Sequence, residues 1–378
     1  MIKRVLLNIL VDQCFKRKAI VLLGARQVGK TTLLKDLMLK IDLPGIWLNA
    51  DEADILKELN EADTSTRLLQ LIGKQNKLVI IDEAQQVQNI GKKIKLLYDS
   101  FPEIQVIATG SSAFELQNET NEALTGRKRE FHLFPLSFNE LTENTSLIEE
   151  KRLLEARLIY GSYPEVINHA GKEKEALQEI ANSYLFKDIL KLEGIRKSSV
   201  IEKLLQALSF QLGHEVNSNE LARTVGNIST VTVEKYLGVL EKTFVIYKLP
   251  AYSRNFRNEI KKGKKYYFYD NGIRNVLISN FQPTGLRQDL GVLWENYLLT
   301  ERLKILQYQR DFCNRYFWRT LDQAEIDYLE EKHGMLHAYE FKWKKEKNRF
   351  PKSFLETYPE NTTQLINKEN YTSFVSDL

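Results

Sequence analysis

The sequence predicts an α/β protein: a parallel sheet opens the chain, a helical stretch follows, and a β-rich region closes it. Three observations predict this. Strand-length apolar runs alternate with helical patterns over the first 110 residues. A glycine-rich loop joins the first such run to the first such helix. From Phe244 onward, aromatic and β-branched runs replace helical spacing.

The 378 residues leave room for two or three domains at roughly 150 residues each. A 43% hydrophobic and 28% charged composition can bury a sizeable core, which excludes wholesale disorder. Lys and Arg number 54 against 50 Asp and Glu, and the resulting +4 excludes a uniformly basic mass-action binder while leaving room for local patches. Cys14 and Cys313 are isolated and the histidines form no ligand spacing, so neither a disulfide scaffold nor a zinc module is expected. No apolar run approaches the ~18 residues of a membrane helix. The apolar stretch Val5 to Val11 contains Asn8 and runs into Lys16-Arg17-Lys18, unlike a secretory signal. A cytoplasmic protein with no membrane partner is expected.

In chain order, the apolar run Ala19 to Leu23 leads into Gly24-Ala25-Arg26-Gln27-Val28-Gly29-Lys30-Thr31, which fits G-x4-G-K-[ST] at every fixed position. A helix carrying Leu33, Leu34, Leu37 and Met38 follows. The glycines let backbone N–H groups face a β-phosphate at the positive end of that helix. Lys30 can then reach the β- and γ-phosphates, the Thr31 hydroxyl suits Mg²⁺, and Thr32 completes the set, implying ATP and Mg²⁺ as ligands.

Ile46 to Leu48, Leu78 to Ile81 and Ile104 to Ala108 are further strands of a sheet covered on both faces. Leu78 to Ile81 ends in Asp82-Glu83, at the carboxyl end where open α/β sheets bind ligands. Asp82 is expected to hold Mg²⁺ through water, and Glu83 to orient and polarise the attacking water, as in a hydrolysing NTPase. Thr109-Gly110-Ser111-Ser112 ends the next strand with hydroxyls suited to sensing a γ-phosphate. Gly126-Arg127-Lys128-Arg129 reads as a loop, where Arg127 is either a finger for a neighbour's site or part of a solvated basic turn.

These blocks resemble the bacterial and archaeal AAA-type ATPases that open with a G-x-R-Q-V-G-K-T-T-L-L loop and carry a restriction-endonuclease-like C-terminal domain. Gly24 to Leu34 matches that loop, with Ala25 where proline is common. Val79 to Ala84, Thr109 to Ser111, Gly126-Arg127, Phe134 to Phe138 and Gly161 to Pro164 look like further family blocks. The resemblance implies a P-loop NTPase of ASCE/AAA-like type with a helical lid. It also implies a homo-oligomer, a hexameric ring or spiral being candidate forms, with Arg127 the best-matched finger.

Val200 to Leu212 reads as one helix. Asn217 and Glu220 look like a capping box opening a second, and Ser229 caps a third bearing Val233, Tyr236, Leu237 and Leu240. Two β runs then bracket Arg254, Arg257, Lys261, Lys262, Lys264 and Lys265, opposed only by Glu259. Three helices and a basic hairpin are the order of a winged helix. Its third helix lacks an Arg/Asn reader set, so DNA contacts are expected through the backbone; a winged helix used only for packing is the alternative.

Asp327 in Glu325 to Leu329 and Glu340 with Lys342 in Tyr339 to Trp343 are expected on two strands joined by a His333-Gly334 turn. Two carboxylates there suit Mg²⁺, and the lysine suits an attacking water or a phosphate. This resembles the D…(D/E)-x-K restriction-endonuclease core, in which Glu295 fits the acid of the first helix. Lys342, Lys344, Lys345, Lys347, Arg349 and Lys352 follow, as a phosphate track or a solvated edge. The expected domains are 1–195 (AAA-like ATPase with helical lid), 196–270 (winged helix) and 271–378 (nuclease-like). The expected function is an Mg²⁺-dependent ATPase that binds or remodels DNA. The alternatives are an ATP-gated nuclease using Asp327, Glu340 and Lys342, and a signalling or scaffold ATPase that contacts proteins.

Overall fold

A computed structural model describes residues 2–111, 120, 123–182, 198–253, 263–320, 322–344 and 350–376. Ser112, Arg254, Arg257, Lys261, Lys262, Lys345, Lys347 and Arg349 lie outside the described residues. The chain divides into two compact units, 1–134 with 242–244, and 135–241 with 245–378.

In the first unit, β1 (Ala19–Leu23), β2 (Gly45–Asn49), β3 (Leu78–Asp82), β4 (Gln105–Gly110) and β5 (Lys128–His132) form a parallel sheet in the order β2-β3-β4-β1-β5. Every residue of β1, β3 and β4 is buried. Their uninterrupted apolar sequences follow from burial on both faces. Helices α1 (Val5–Gln13), α2 (Lys30–Ile41), α3 (Ala53–Glu61), α4 (Ser65–Ile72) and α5 (Ile90–Ser100) belong to this unit. Because β4 lies between β1 and β3, the carboxyl ends of three adjoining strands meet. The expected loop at Lys128-Arg129 is instead the start of β5, an edge strand whose charged residues need no second buried face.

The second unit opens with α6 (Phe138–Asn144), α7 (Leu147–Arg152), α8 (Leu154–Tyr160), α9 (Pro164–Asn168) and α10 (Glu173–Ile180). A capping box of Ser137 and Glu140 starts α6. These helices pack with the rest of the second unit, so the expected edge at 195 is not an edge of a compact unit. Next come α11 (Ser198–Phe210), β6 (Glu215–Val216), α12 (Ser218–Thr224), α13 (Thr230–Lys242), β7 (Ile246–Pro250) and β8 (Lys264–Phe268), the strands pairing antiparallel in the order β6-β8-β7. Asn217 accepts from Asn219 N and Glu220 N, which caps α12 through the Asn217 half of the expected box, and Ser229 accepts from Thr232 N, capping α13 as expected.

After α14 (Asn271–Leu277) and the buried α15 (Leu290–Gln309) come β9 (Asn314–Arg319), β10 (Glu325–Lys332), β11 (Met335–Phe341), α16 (Lys352–Thr357), β12 (Asn361–Ile366) and α17 (Thr372–Val375). The sheet order is β12-β11-β10-β9, antiparallel except for β11 and β12, which are parallel. His333 and Gly334, both at positive φ, make the predicted two-residue hairpin turn between β10 and β11. Asn296 of α15 accepts from Phe268 N at 2.8 Å and donates to Phe268 O at 3.0 Å. One amide thus binds α15 to the β8 backbone across the expected boundary at 270.

Candidate nucleotide site and C-terminal carboxylate cluster

The glycine-rich loop joins the buried end of β1 to α2. A Cβ on Gly24 would lie 2.2 Å from Leu133 O, so only glycine lets the loop leave the sheet here. Gly29 has φ 95°, the left-handed conformation that opens α2. Lys30 folds onto the loop, donating to Gly24 O at 2.9 Å and Ala25 O at 3.0 Å. Burial lowers its pKa to about 8, against the opposing pull of Glu83 and Asp82.

Asp82 ends β3. Its Oδ2 accepts from Thr31 Oγ1 at 3.0 Å and its Oδ1 from Thr109 Oγ1, at the end of β4, at 2.8 Å. Glu83 adopts φ 51° and ψ 40°, a left-handed conformation that a non-glycine residue rarely adopts. Its Oε2 accepts from Gln85 Nε2 at 2.6 Å and from Ser111 Oγ at 3.4 Å. Lys30, Thr31, Asp82, Glu83, Thr109 and Ser111 therefore converge where β1, β3 and β4 end, and Thr31 and Thr32 are exposed beside them. This donor set fits a nucleoside triphosphate with Mg²⁺: a glycine cradle that a Cβ would fill, an ammonium, and a hydroxyl paired with a carboxylate.

Sequence reasoning missed Arg4. It is 9% exposed and donates to Val28 O at 2.7 Å and Phe134 O at 2.5 Å, tying the phosphate loop to the end of the first unit. No local pattern signals a contact spanning 130 residues. Arg127 lies at the other end of the sheet, where its carbonyl accepts from Ala19 N at 2.9 Å. Its guanidinium meets Asp99 at 3.0 Å and lies over the Tyr98 ring.

In the second unit, Asp327 and Glu340 come opposite each other, one step beyond the Tyr328–Tyr339 pair. Asp327 Oδ2 accepts from Phe341 N at 2.8 Å, and Lys342 Nζ is 3.2 Å from Glu340 Oε2. Burial and then Asp327 raise the Glu340 pKa to about 7, and burial raises that of Asp327. The predicted trio is thus brought together.

Glu295 is not part of a metal-binding set with them. Its Oε1 accepts from Tyr267 OH at 2.5 Å and lies 3.7 Å from Lys265 Nζ, and among the described residues no group of three or more His, Cys, Asp or Glu could hold a metal ion. The basic-hairpin expectation also needs correction at both of its described members. Lys265, expected to contact DNA, is 1% exposed and pairs with Glu325 Oε1 at 2.5 Å. Lys264 is held by Glu234 at 2.7 Å. The Lys265 charge is matched inside the protein, and the Lys264 charge is paired at its surface.

Among the described residues, no helix is long and apolar enough to cross a membrane. In comparisons with known proteins, residues 16–142 match an AAA domain, and residues 151–284 and 290–374 match two domains of unknown function (DUF8612 and DUF4143). An uncharacterized protein of Haemophilus influenzae is 28% identical over 276 residues, 68% of each chain. An uncharacterized protein of Mycobacterium tuberculosis is 25% identical over 328 residues, covering 85% of this chain and 70% of that one. Among solved structures, the Walker-type ATPase of Pyrococcus abyssi is 19% identical with a TM-score of 0.51, covering 74% of this chain and 96% of that one, a likeness of fold. Together with the strand order and the loop geometry, the match of residues 16–142 to an AAA domain gives the N-terminal part of the chain a P-loop, AAA-like fold.

Proposed function

We propose that the protein is an Mg²⁺-dependent ATP hydrolase that works as a homo-oligomer on DNA, its nucleotide state gating DNA engagement. The observation that carries this reading is the convergence of Thr31 and Thr109 on Asp82, with Glu83 beside them. Lys30 supplies positive charge to the β- and γ-phosphates, and Thr31 and Asp82 hold the ion, which when bound neutralises phosphate charge. Glu83 orients and polarises the attacking water, while Ser111 and Gln85 hold its carboxylate. Arg127 completes a neighbouring protomer's site.

The DNA component rests on the order α11-β6-α12-α13-β7-β8 and the sheet β6-β8-β7, which support a winged helix. Exposed Val231 and Lys235 on α13, with Glu234 held by Lys264, suit backbone contact better than base readout. Of the hairpin bases, Arg254, Arg257, Lys261 and Lys262 remain candidates for this contact. Functionally, 1–195, 196–270 and 271–378 act as motor with lid, winged helix and nuclease-like end. A second reading, an ATP-gated nuclease, is favoured by one observation: three antiparallel strands, a helix and a parallel fourth strand carry Asp327, Glu340 and Lys342 together.

ATP turnover and retention of duplex, branched and single-stranded DNA at low salt test these readings together. Lys30→Ala should abolish nucleotide binding, and Glu83→Gln should bind ATP but hydrolyse it slowly. Undiminished turnover in both variants overturns the ATPase reading. Absence of DNA retention, with a stoichiometric protein partner recovered instead, selects the scaffold reading. Cleavage in Mg²⁺ or Mn²⁺ that is lost in Asp327→Asn selects the nuclease.

A further inference from the structure

Four acids and three bases meet on one side of the C-terminal sheet. Asp327 and Glu340 face Lys342, while Glu295 and Glu325 face Lys265, a residue from the separate three-stranded sheet of β6, β7 and β8. The Lys265 ammonium is buried. It lies 2.5 Å from Glu325 Oε1, 3.7 Å from Glu295 Oε1 and 5.1 Å from the centre of the Phe317 ring. Glu295 is further held by the Tyr267 hydroxyl, and Glu325 Oε2 lies 3.7 Å from Arg319 Nε. Every acid on this half of the cluster therefore has a cationic or hydroxyl partner supplied by the chain.

We infer that Lys265 is the resident cation of this cluster, closing Glu295 and Glu325 to metal and leaving only Asp327 and Glu340 to a divalent ion. A buried ammonium between two carboxylates neutralises them where a metal otherwise would, and its place is fixed by the β8 ladder that carries it. The winged-helix sheet thus contributes a charge to a site whose other residues belong to a different sheet. This inference is independent of the ATPase and winged-helix readings and rests on the reading of Asp327 and Glu340 as a divalent-ion site.

The test is Mn²⁺ binding, followed by electron paramagnetic resonance of the free ion, on nucleotide-free full-length chain carrying Asp82→Asn to silence the phosphate-loop site. Lys265→Met should tighten Mn²⁺ binding by about tenfold or more, because Glu295 and Glu325 become available as ligands. Adding Glu295→Gln should remove most of that gain. An affinity that stays level or falls on Lys265→Met overturns the inference. Removing one member of a buried ion pair can unfold the unit. In that event, the charge-balanced Lys265→Met/Glu325→Gln chain should still bind Mn²⁺ about threefold or more tightly through Glu295, and unchanged affinity overturns the inference equally.

Discussion

At Lys30, burial and charge pull in opposite directions. Burial disfavours the ammonium and brings its pKa to about 8, while Glu83 and Asp82 resist. A triphosphate brings several negative charges against Nζ, so the bound complex has the higher Lys30 pKa. The sign follows: affinity is fully present below about 8 and declines as pH rises through it, towards about tenfold per unit. Fluorescence polarisation of a labelled, non-hydrolysable ATP analogue on the unmutated chain, where Glu83 keeps its charge, from about pH 7 to about 9.5, measures this. A flat profile would mean that Lys30 keeps its proton throughout and does not limit binding. The residues of this site were legible because their chemistry demands fixed local spacing. Arg4 and Lys265 were not, because each acts through residues far away in sequence: Val28 and Phe134 for one, Glu295 and Glu325 for the other. Lys265 even carried a misleading signal, since a basic run looks the same whether its charges face solvent or are matched from elsewhere in the fold.

Among the elements, the corner between α8 and α9 shows what the Gly161 to Pro164 block does in the fold. Gly161 has φ 73°, and a Cβ there would lie 1.9 Å from Asp270 Oδ1. Asp270 itself accepts from Ser162 N at 2.7 Å and caps α14 through Gly272 N at 2.8 Å. The Gly161 to Pro164 block is therefore a packing joint that brings backbone against a buried carboxylate. Gly161→Ala combines backbone strain with a steric clash and should cost about 2–4 kcal/mol. Gly238 inside α13 has nothing within 4 Å of its Cβ position, so Gly238→Ala should stabilise by about 0.5–1 kcal/mol. Opposite shifts in denaturation midpoint are expected, and equal losses would show that the corner is not what makes Gly161 necessary. The strands β1, β3 and β4 were legible as unbroken apolar runs, and the β10–β11 hairpin from its turn. Edge strand β5 was not, because Lys128, Arg129 and Glu130 carry no apolar signature. The tie across residue 270 was unreadable for another reason: the Asn296 amide that joins α15 to β8 lies 28 residues from its partner.

Across the whole molecule, the position of Arg127 constrains how an assembly can work. Its backbone meets Ala19 at the amino end of β1, whereas the phosphate loop leaves the carboxyl end. The five residues of β1 separate the two, about 17 Å at roughly 3.3 Å per residue. That separation makes a role in its own protomer's phosphate site difficult, and Asp99 with Tyr98 holds the guanidinium at the far end. A finger role then requires a neighbouring copy, and complementation measures it directly. Lys30→Ala chains lack phosphate binding but keep Arg127, while Arg127→Ala chains keep Lys30 but have no finger to offer. Each alone should turn over ATP poorly. In a randomly mixed closed assembly, a competent site needs an Arg127→Ala protomer whose neighbour is a Lys30→Ala protomer. Equal mixing should therefore restore about a quarter of the unmutated turnover per chain. Two inactive preparations that stay inactive on mixing, despite gel filtration showing that they co-assemble, would confine Arg127 to its salt bridge with Asp99. Full activity of Arg127→Ala alone would do the same.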